Sequence, residues 1–198
     1  MIGPELLDYL ARHGADRAPH AGGRPLIDHL VGTCALLREW RAPKRVCLAG
    51  LFHSIYGTSI FRHRSVAIGK RREVAGLIGG EAERLAYLFC VAARPRVWYS
   101  PPRGKALRLP TTSGGSIMMS RGELASLLEI ECANLIEQPG GGAYLAPLVD
   151  WIETEPRLVS AGCRRALAGF QARERGARDR PPRAGLRWNK IGHGHRAS

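Results

Sequence analysis

Apolar positions recur at helical spacing through most of the chain, and proline and glycine mark the breaks between the runs. Pro4 stands at a first-turn position ahead of Leu6, Leu7 and Leu10, and Gly14 closes this first segment. After the Gly22-Gly23 break, Pro25 opens a second helix that the spacing of Leu26, Leu30, Cys34 and Leu37 carries to about Trp40. Pro43 opens a third, over 46–53. It is apolar all round and is therefore predicted to be central. A fourth helix is predicted over 72–78 and a fifth over 81–93. Ser120 with Glu123 three residues later is a capping box for a sixth, over 121–138, which Pro139 and three glycines end. Two more are predicted over 143–153 and 156–171.

Two stretches break this pattern. Residues 57–72 lack helical periodicity and carry five basic side chains plus His63, as an active-site or surface loop would. Residues 94–119 are rich in Pro, Gly, Thr and Ser, and β-like runs at 106–109 and 116–119 flank Gly114-Gly115, which predicts a small hairpin. The expected fold is all-α: a bundle of six to eight helices in one domain, 1–170, with an irregular insertion at about 94–119. Residues 171–198 are expected to form a basic, flexible tail. The longest apolar run, 85–93, has nine residues against the roughly 20 that a spanning helix needs, so no membrane partner is expected.

At 198 residues and 44% hydrophobic content the chain can bury a substantial core, which excludes disorder throughout. Its net charge is +13, carried mostly by arginine. The tail holds eight basic and two acidic residues, which leaves the body at +7. A basic body favours an anionic small molecule in a cleft. A nucleic acid is not expected, because the arginines do not group on one helical face, Trp188 stands alone among them, and no reader motif is present. The five cysteines are odd in number and at least thirteen residues apart, so they read as buried free thiols in a reducing compartment. Glu5 and Asp8 stand where a secretory leader would be basic and apolar, and the protein is expected to be cytoplasmic. No P-loop, Rossmann glycine pattern or nucleophile elbow occurs.

Three pieces then line up in order: Asp28-His29 in the second helix, Leu48-Ala-Gly-Leu-Phe-His53-Ser54 ending the third, and Glu131-Cys-Ala-Asn134-Leu-Ile-Glu137 in the sixth. This layout resembles the HD-domain superfamily, and within it the hydrolase domain of the stringent-response enzymes that degrade guanosine tetraphosphate. The resemblance covers about residues 20–140. It implies a helical fold and a divalent metal held by a histidine, a His-Asp pair and a distant aspartate. His29 and His53 match the two histidines, but Ser54 replaces the paired aspartate and Asn134 the distant one. A hard cation wants carboxylate oxygens, so neither a bound metal nor another cofactor is expected. A softer ion on His29, His53 and either His20 or Glu131 is the alternative. The stretch His53-Ser-Ile-Tyr-Gly-Thr58 also resembles a signature of small bacterial proteins, some of them associated with natural-product gene clusters.

These residues define a candidate site. His29, His53, Tyr56 and Asp28 are the expected catalytic groups. His20, Ser54, Thr58, Arg62, Arg94, Asn134 and Glu137 are expected to bind substrate. Histidine can give and take protons near neutral pH, and arginine grips phosphate or sulfate bidentately. The expected activity is metal-free breakage or displacement of a bond to a phosphate- or sulfate-type leaving group, by hydrolysis, elimination or intramolecular cyclisation. Two alternatives stand beside it: a metal-dependent HD-type phosphohydrolase or oxygenase, and a non-catalytic module that binds a nucleotide or a partner protein. A homo- or hetero-oligomer with a pathway protein is compatible with each. The structural alternatives are as concrete: His53 and Tyr56 as hydrogen-bonded core, Ser54 and Thr58 as turn caps, Glu137 as surface.

Overall fold

The proline-opened helices form as the pattern predicts. A computed structural model describes residues 2–99 and 107–178, and these fold as α1 (Pro4–Arg12), α2 (Leu26–Glu39), α3 (Lys44–Phe52), α4 (Arg71–Ile78), α5 (Gly80–Val91), α6 (Arg96–Tyr99), β1 (Leu107–Pro110), β2 (Ser116–Met119), α7 (Arg121–Glu137), α8 (Ala146–Thr154) and α9 (Ala161–Arg178). No helix among them is long and apolar enough to cross a membrane. The fold is mostly helical, with one two-stranded antiparallel sheet in the predicted hairpin, where Leu107 pairs with Met119 and Leu109 with Ile117. Leu107 and Leu109 face inward and Arg108 outward, the period-two alternation of a half-buried strand.

α3 lies against α2, α5 and α7, so the helix without a polar face is the central one. Its closest neighbour is α2. Gly50 allows that approach, because a Cβ there would run into Leu37 Cδ1, and Leu37 is itself fully buried. α7 starts on the predicted capping box, with Glu123 N–H donating to Ser120 Oγ and Ser120 N–H to the Glu123 carboxylate. α7 is buried on almost all sides. It carries Glu129, Glu131 and Asn134 into the interior along with its leucines. Glu129 is absorbed locally, since its Oε1 accepts the Ser160 N–H at 2.6 Å just ahead of α9.

Three expectations change. The last predicted helix divides, with a 3₁₀ turn at Pro156–Leu158 followed by α9. α9 runs on to Arg178, eight residues past the expected end of the helical domain at 170, because no proline interrupts it. Residues 179–198, the rest of the expected tail, lie outside the described residues. α6 is a single turn inside the insertion that periodicity cannot reveal.

Gly50→Val should lower the unfolding free energy by about 1–3 kcal/mol through overpacking against Leu37 and Thr33. Urea denaturation checks this, and a variant as stable as the parent would contradict the close α2–α3 approach.

Candidate functional site

Glu131, Asn134 and Glu137 recur every three residues along α7, so they share one face. Opposite that face, α2 presents His29, and His53 caps the C-terminal end of α3. The central contacts are tight. His29 Nε2 lies 3.2 Å from His53 Nε2, and Asn134 Oδ1 lies 3.0 Å from the first and 3.2 Å from the second. Both histidines are fully buried.

Hydrogen-bond bookkeeping constrains the protons here. His53 Nδ1 is 2.7 Å from the Gly50 carbonyl, which can only accept, so Nδ1 carries a proton. His29 Nδ1 faces the Glu137 carboxylate and donates to it in the same way. Asn134 Nδ2 donates to Glu131 Oε2 at 3.3 Å, which turns its Oδ1 toward the histidines. With both imidazoles neutral, three lone pairs would face one another with no donor between them, a costly arrangement in a dry interior. A single proton placed among the three atoms would satisfy them.

Each end of the α7 stripe is tied to an arginine. Arg24 clamps Glu137 with both terminal nitrogens, Nη1 to Oε1 at 2.6 Å. Arg94 pairs with Glu131 at 2.8 Å, and Trp98 Nε1 donates to the same carboxylate at 3.1 Å. Burial alone would raise the Glu137 carboxyl, but hydrogen bonds from His29 and Arg24 outweigh it and hold the group below the usual carboxylate range. His53 is pushed well below the ordinary histidine value, by burial first and then by His29, Arg94 and His20.

The centre is roofed by aromatic rings. His20 stacks on His29 with centroids 4.3 Å apart, and Phe61 meets His20 edge-on at 4.8 Å. Phe89 closes the side beyond His53, with the Arg94 guanidinium over the Phe89 ring at 3.9 Å from its centroid. Neither ring nitrogen of His20 completes a hydrogen bond to a described residue. Burial, His29 and Arg24 together lower its pKa to about 4, and Gln138 and Glu137 oppose this only in part.

Of the expected residues, the structure brings together His20, His29, His53, Asn134, Glu137 and, through Glu131, Arg94. Others are placed elsewhere. Asp28 is exposed, on the outer side of α2, because its neighbour His29 takes the inward position. The Tyr56 hydroxyl donates to Glu83 at 3.1 Å, within an Arg71–Glu83 pair, and burial with Glu83 pushes its pKa up; it does not reach the histidines. Thr58 is a cap, its Oγ1 accepting Phe61 N–H at 2.9 Å. Ser54 is buried in the turn after α3, where its carbonyl accepts Gly57 N–H. Arg62 is exposed on the loop. Arg94 grips Glu131 and is not free for an anion. Sequence reasoning missed Arg24, Phe61 and Trp98, and named Glu131 only as an optional ligand in the alternative soft-metal reading. The three-residue spacing on α7 was the available signal for Glu131; nothing local marks the others.

The HD resemblance implies a divalent metal, and the donors test it. They are two imidazole nitrogens and an amide oxygen, with no carboxylate, since Glu131 and Glu137 are turned to their arginines. Among the described residues no group of three or more His, Cys, Asp and Glu converges as a metal site. A hard, oxygen-preferring cation does not fit this set.

A family model described as a domain of unknown function (DUF6817) matches residues 9–94. That span carries His20, Arg24, His29, His53 and Arg94 and ends before α7. No curated protein and no solved structure matches the chain.

The buried neutral histidines fix a pH dependence. Below pH 6.5 the unfolded chain protonates residues that the native His53 and His20 leave neutral, so stability falls as pH drops toward 4. The slope is up to about 1.4 kcal/mol per pH unit for each histidine. Glu137, charged when native, adds a further loss at more acid pH, as it is protonated below 4.5. Urea midpoints between pH 6.5 and 5 should decline, and His20→Phe should flatten the decline. A level profile would count against neutral His20 and His53.

Proposed function

We propose that the His29–His53 centre is the acid–base apparatus of a cytoplasmic enzyme with an HD-like helical fold that acts on a small anionic metabolite. The reaction breaks or displaces a bond to a phosphate- or sulfate-type leaving group without a metal. One observation carries the reading: two imidazole nitrogens and an amide oxygen converge within 3.2 Å and need one proton among them. A centre that holds a single proton between two imidazoles can donate with one and accept with the other.

The proton on His29 Nε2 goes to the leaving oxygen, and His53 Nε2 takes one from the attacking hydroxyl or water, so the centre ends with the same number of protons. Glu137 orients His29 and stabilises its charged form, while the Gly50 carbonyl fixes the tautomer and direction of His53. Since both histidines are fully buried, His20 and Phe61 must move aside to admit a substrate. Five buried free thiols are consistent with the cytoplasmic assignment. The HSIYGT stretch supports a place in natural-product biosynthesis by analogy alone.

Phenyl phosphate, p-nitrophenyl phosphate and p-nitrophenyl sulfate are suitable first substrates. His53→Gln and His29→Gln should each cut turnover by roughly 10²–10⁴-fold with an unchanged circular dichroism spectrum. Near parental turnover in His53→Gln, or no turnover of any ester by the unmodified protein, would overturn the proposal. The same convergence of lone pairs favours one other reading, a softer divalent ion on His29, His53 and Asn134. Elemental analysis of protein purified without chelator decides it: near one equivalent of zinc, iron or manganese replaces the metal-free reading.

A further inference from the structure

The turn that follows His53 has two sides, and only one of them faces the histidines. Gly57 has φ +75°, and a Cβ there would sit 2.9 Å from Arg64 Cγ and 3.2 Å from the Arg62 and His63 carbonyls. Residues 58–64 therefore fold tightly back over Gly57, a conformation that only glycine adopts without strain. Thr58 locks the loop, its N–H donating to the Phe61 carbonyl at 2.6 Å. Phe61 from this loop covers His20. Arg62 and Arg64 from the same loop line a cleft of about 500 Å³, completed by Tyr56, Ile68, Val91 and Thr112.

We infer that this cleft binds a small organic anion, a phosphate or sulfate monoester whose charged group meets Arg62 and Arg64 and whose apolar body lies against Ile68 and Val91. The inference deepens the proposed function, on whose anionic substrate it rests, by naming the shape of that substrate. Four observations support it. The volume lies within the range of small-molecule sites. Arg62 and Arg64 have no carboxylate of the described residues within 4 Å, unlike Arg24, Arg71 and Arg94, which are all paired. Two unpaired guanidinium groups on one short loop match a tetrahedral oxyanion, which each can grip bidentately. Ile68, 40% exposed, and Val91 supply an apolar wall that a bare inorganic anion would leave unused.

The cleft also lies close to the proposed chemistry. Cys90, which lines it, donates its Sγ–H to the His53 carbonyl at 3.0 Å. An anion held by Arg62 and Arg64 grips the same loop that keeps Phe61 over His20. Substrate recognition and uncovering of the histidines thus act on one short segment.

Calorimetric titration of the full-length protein with phenyl phosphate, inorganic phosphate and phenol tests the inference. Phenyl phosphate should bind at least about tenfold more tightly than either fragment, and Arg62→Ala/Arg64→Ala should weaken it at least about tenfold, the loss of one charged hydrogen bond. A charge-matched control on exposed positions elsewhere, Arg12→Ala/Arg45→Ala, should stay within about twofold, the size of a remote surface-charge effect. Equal affinity for phenyl phosphate and inorganic phosphate, or parental affinity in the Arg62/Arg64 variant, would overturn the cleft. The two readings fail differently. Tight arginine-dependent binding without turnover sinks the enzyme and keeps the cleft, whereas turnover insensitive to Arg62 and Arg64 does the reverse.

Discussion

α7 sets two carboxylates, Glu131 and Glu137, and the amide of Asn134 beside the histidines in a dry helical interior, and the surroundings of the histidine centre follow from the need to satisfy them. A carboxylate taken out of water loses several kcal/mol of hydration unless a cation and further hydrogen bonds replace it. Glu137 obtains Arg24 and His29; Glu131 obtains Arg94, Trp98 and Asn134. The result is a continuous ladder from one arginine to the other, with the histidines at its middle. Removing Arg94 would leave the buried Glu131 charge without a cation, a loss of about 3–5 kcal/mol in comparable cases. Arg24 and Arg94 lie far apart in sequence, so the ladder also pins the 18–25 loop and the end of α5 to the same face of α7.

Burial changes what the centre can do. The low polarity around His53 keeps its imidazole neutral, and the same low polarity strengthens the hydrogen bond between His29 and Glu137. Two chemically identical side chains 3.2 Å apart are thereby given different surroundings by their Nδ1 partners, a carbonyl for one and a carboxylate for the other. On the proposed function, that asymmetry is the condition for separating acid and base roles between them. The cost is access: stacked His20 and Phe61 exclude the solvent whose absence creates the asymmetry.

Helix positions were legible because the chain punctuates itself with Pro4, Pro25, Pro43 and Ser120, and each of these marks a helix start in the structure. The centrality of α3 was legible too, from a segment with no polar face. The sequence singled out both histidines and Asn134, and the structure brings these three together. What could not be read was which neighbour of a histidine turns inward: Asp28 and His29 are adjacent, and packing against α7 selects His29 alone. Arg24 was hidden for a different reason. It sits in a short glycine-flanked loop, and only the Pro19–Pro25 bridge, which closes that loop, sets it beside Glu137. Phe61 belongs to an aperiodic loop whose path depends on the positive φ of Gly57.

Asn134 stands where the sequence resemblance would place a carboxylate, and the ladder gives an amide at this position a physical basis. The residue at this position must donate toward Glu131 and accept on its opposite side from the histidine pair. An ionised carboxylate has no donor. It would face Glu131 at 3.3 Å with like charge, between two carboxylates whose arginines are already committed. An amide serves both directions without adding charge, and it leaves one proton as the natural occupant of the centre. The same logic ties Glu131 to Asn134: an apolar residue at 131 would remove the acceptor that orients the amide, free its carbonyl from a fixed direction, and loosen the hold on both histidines at once.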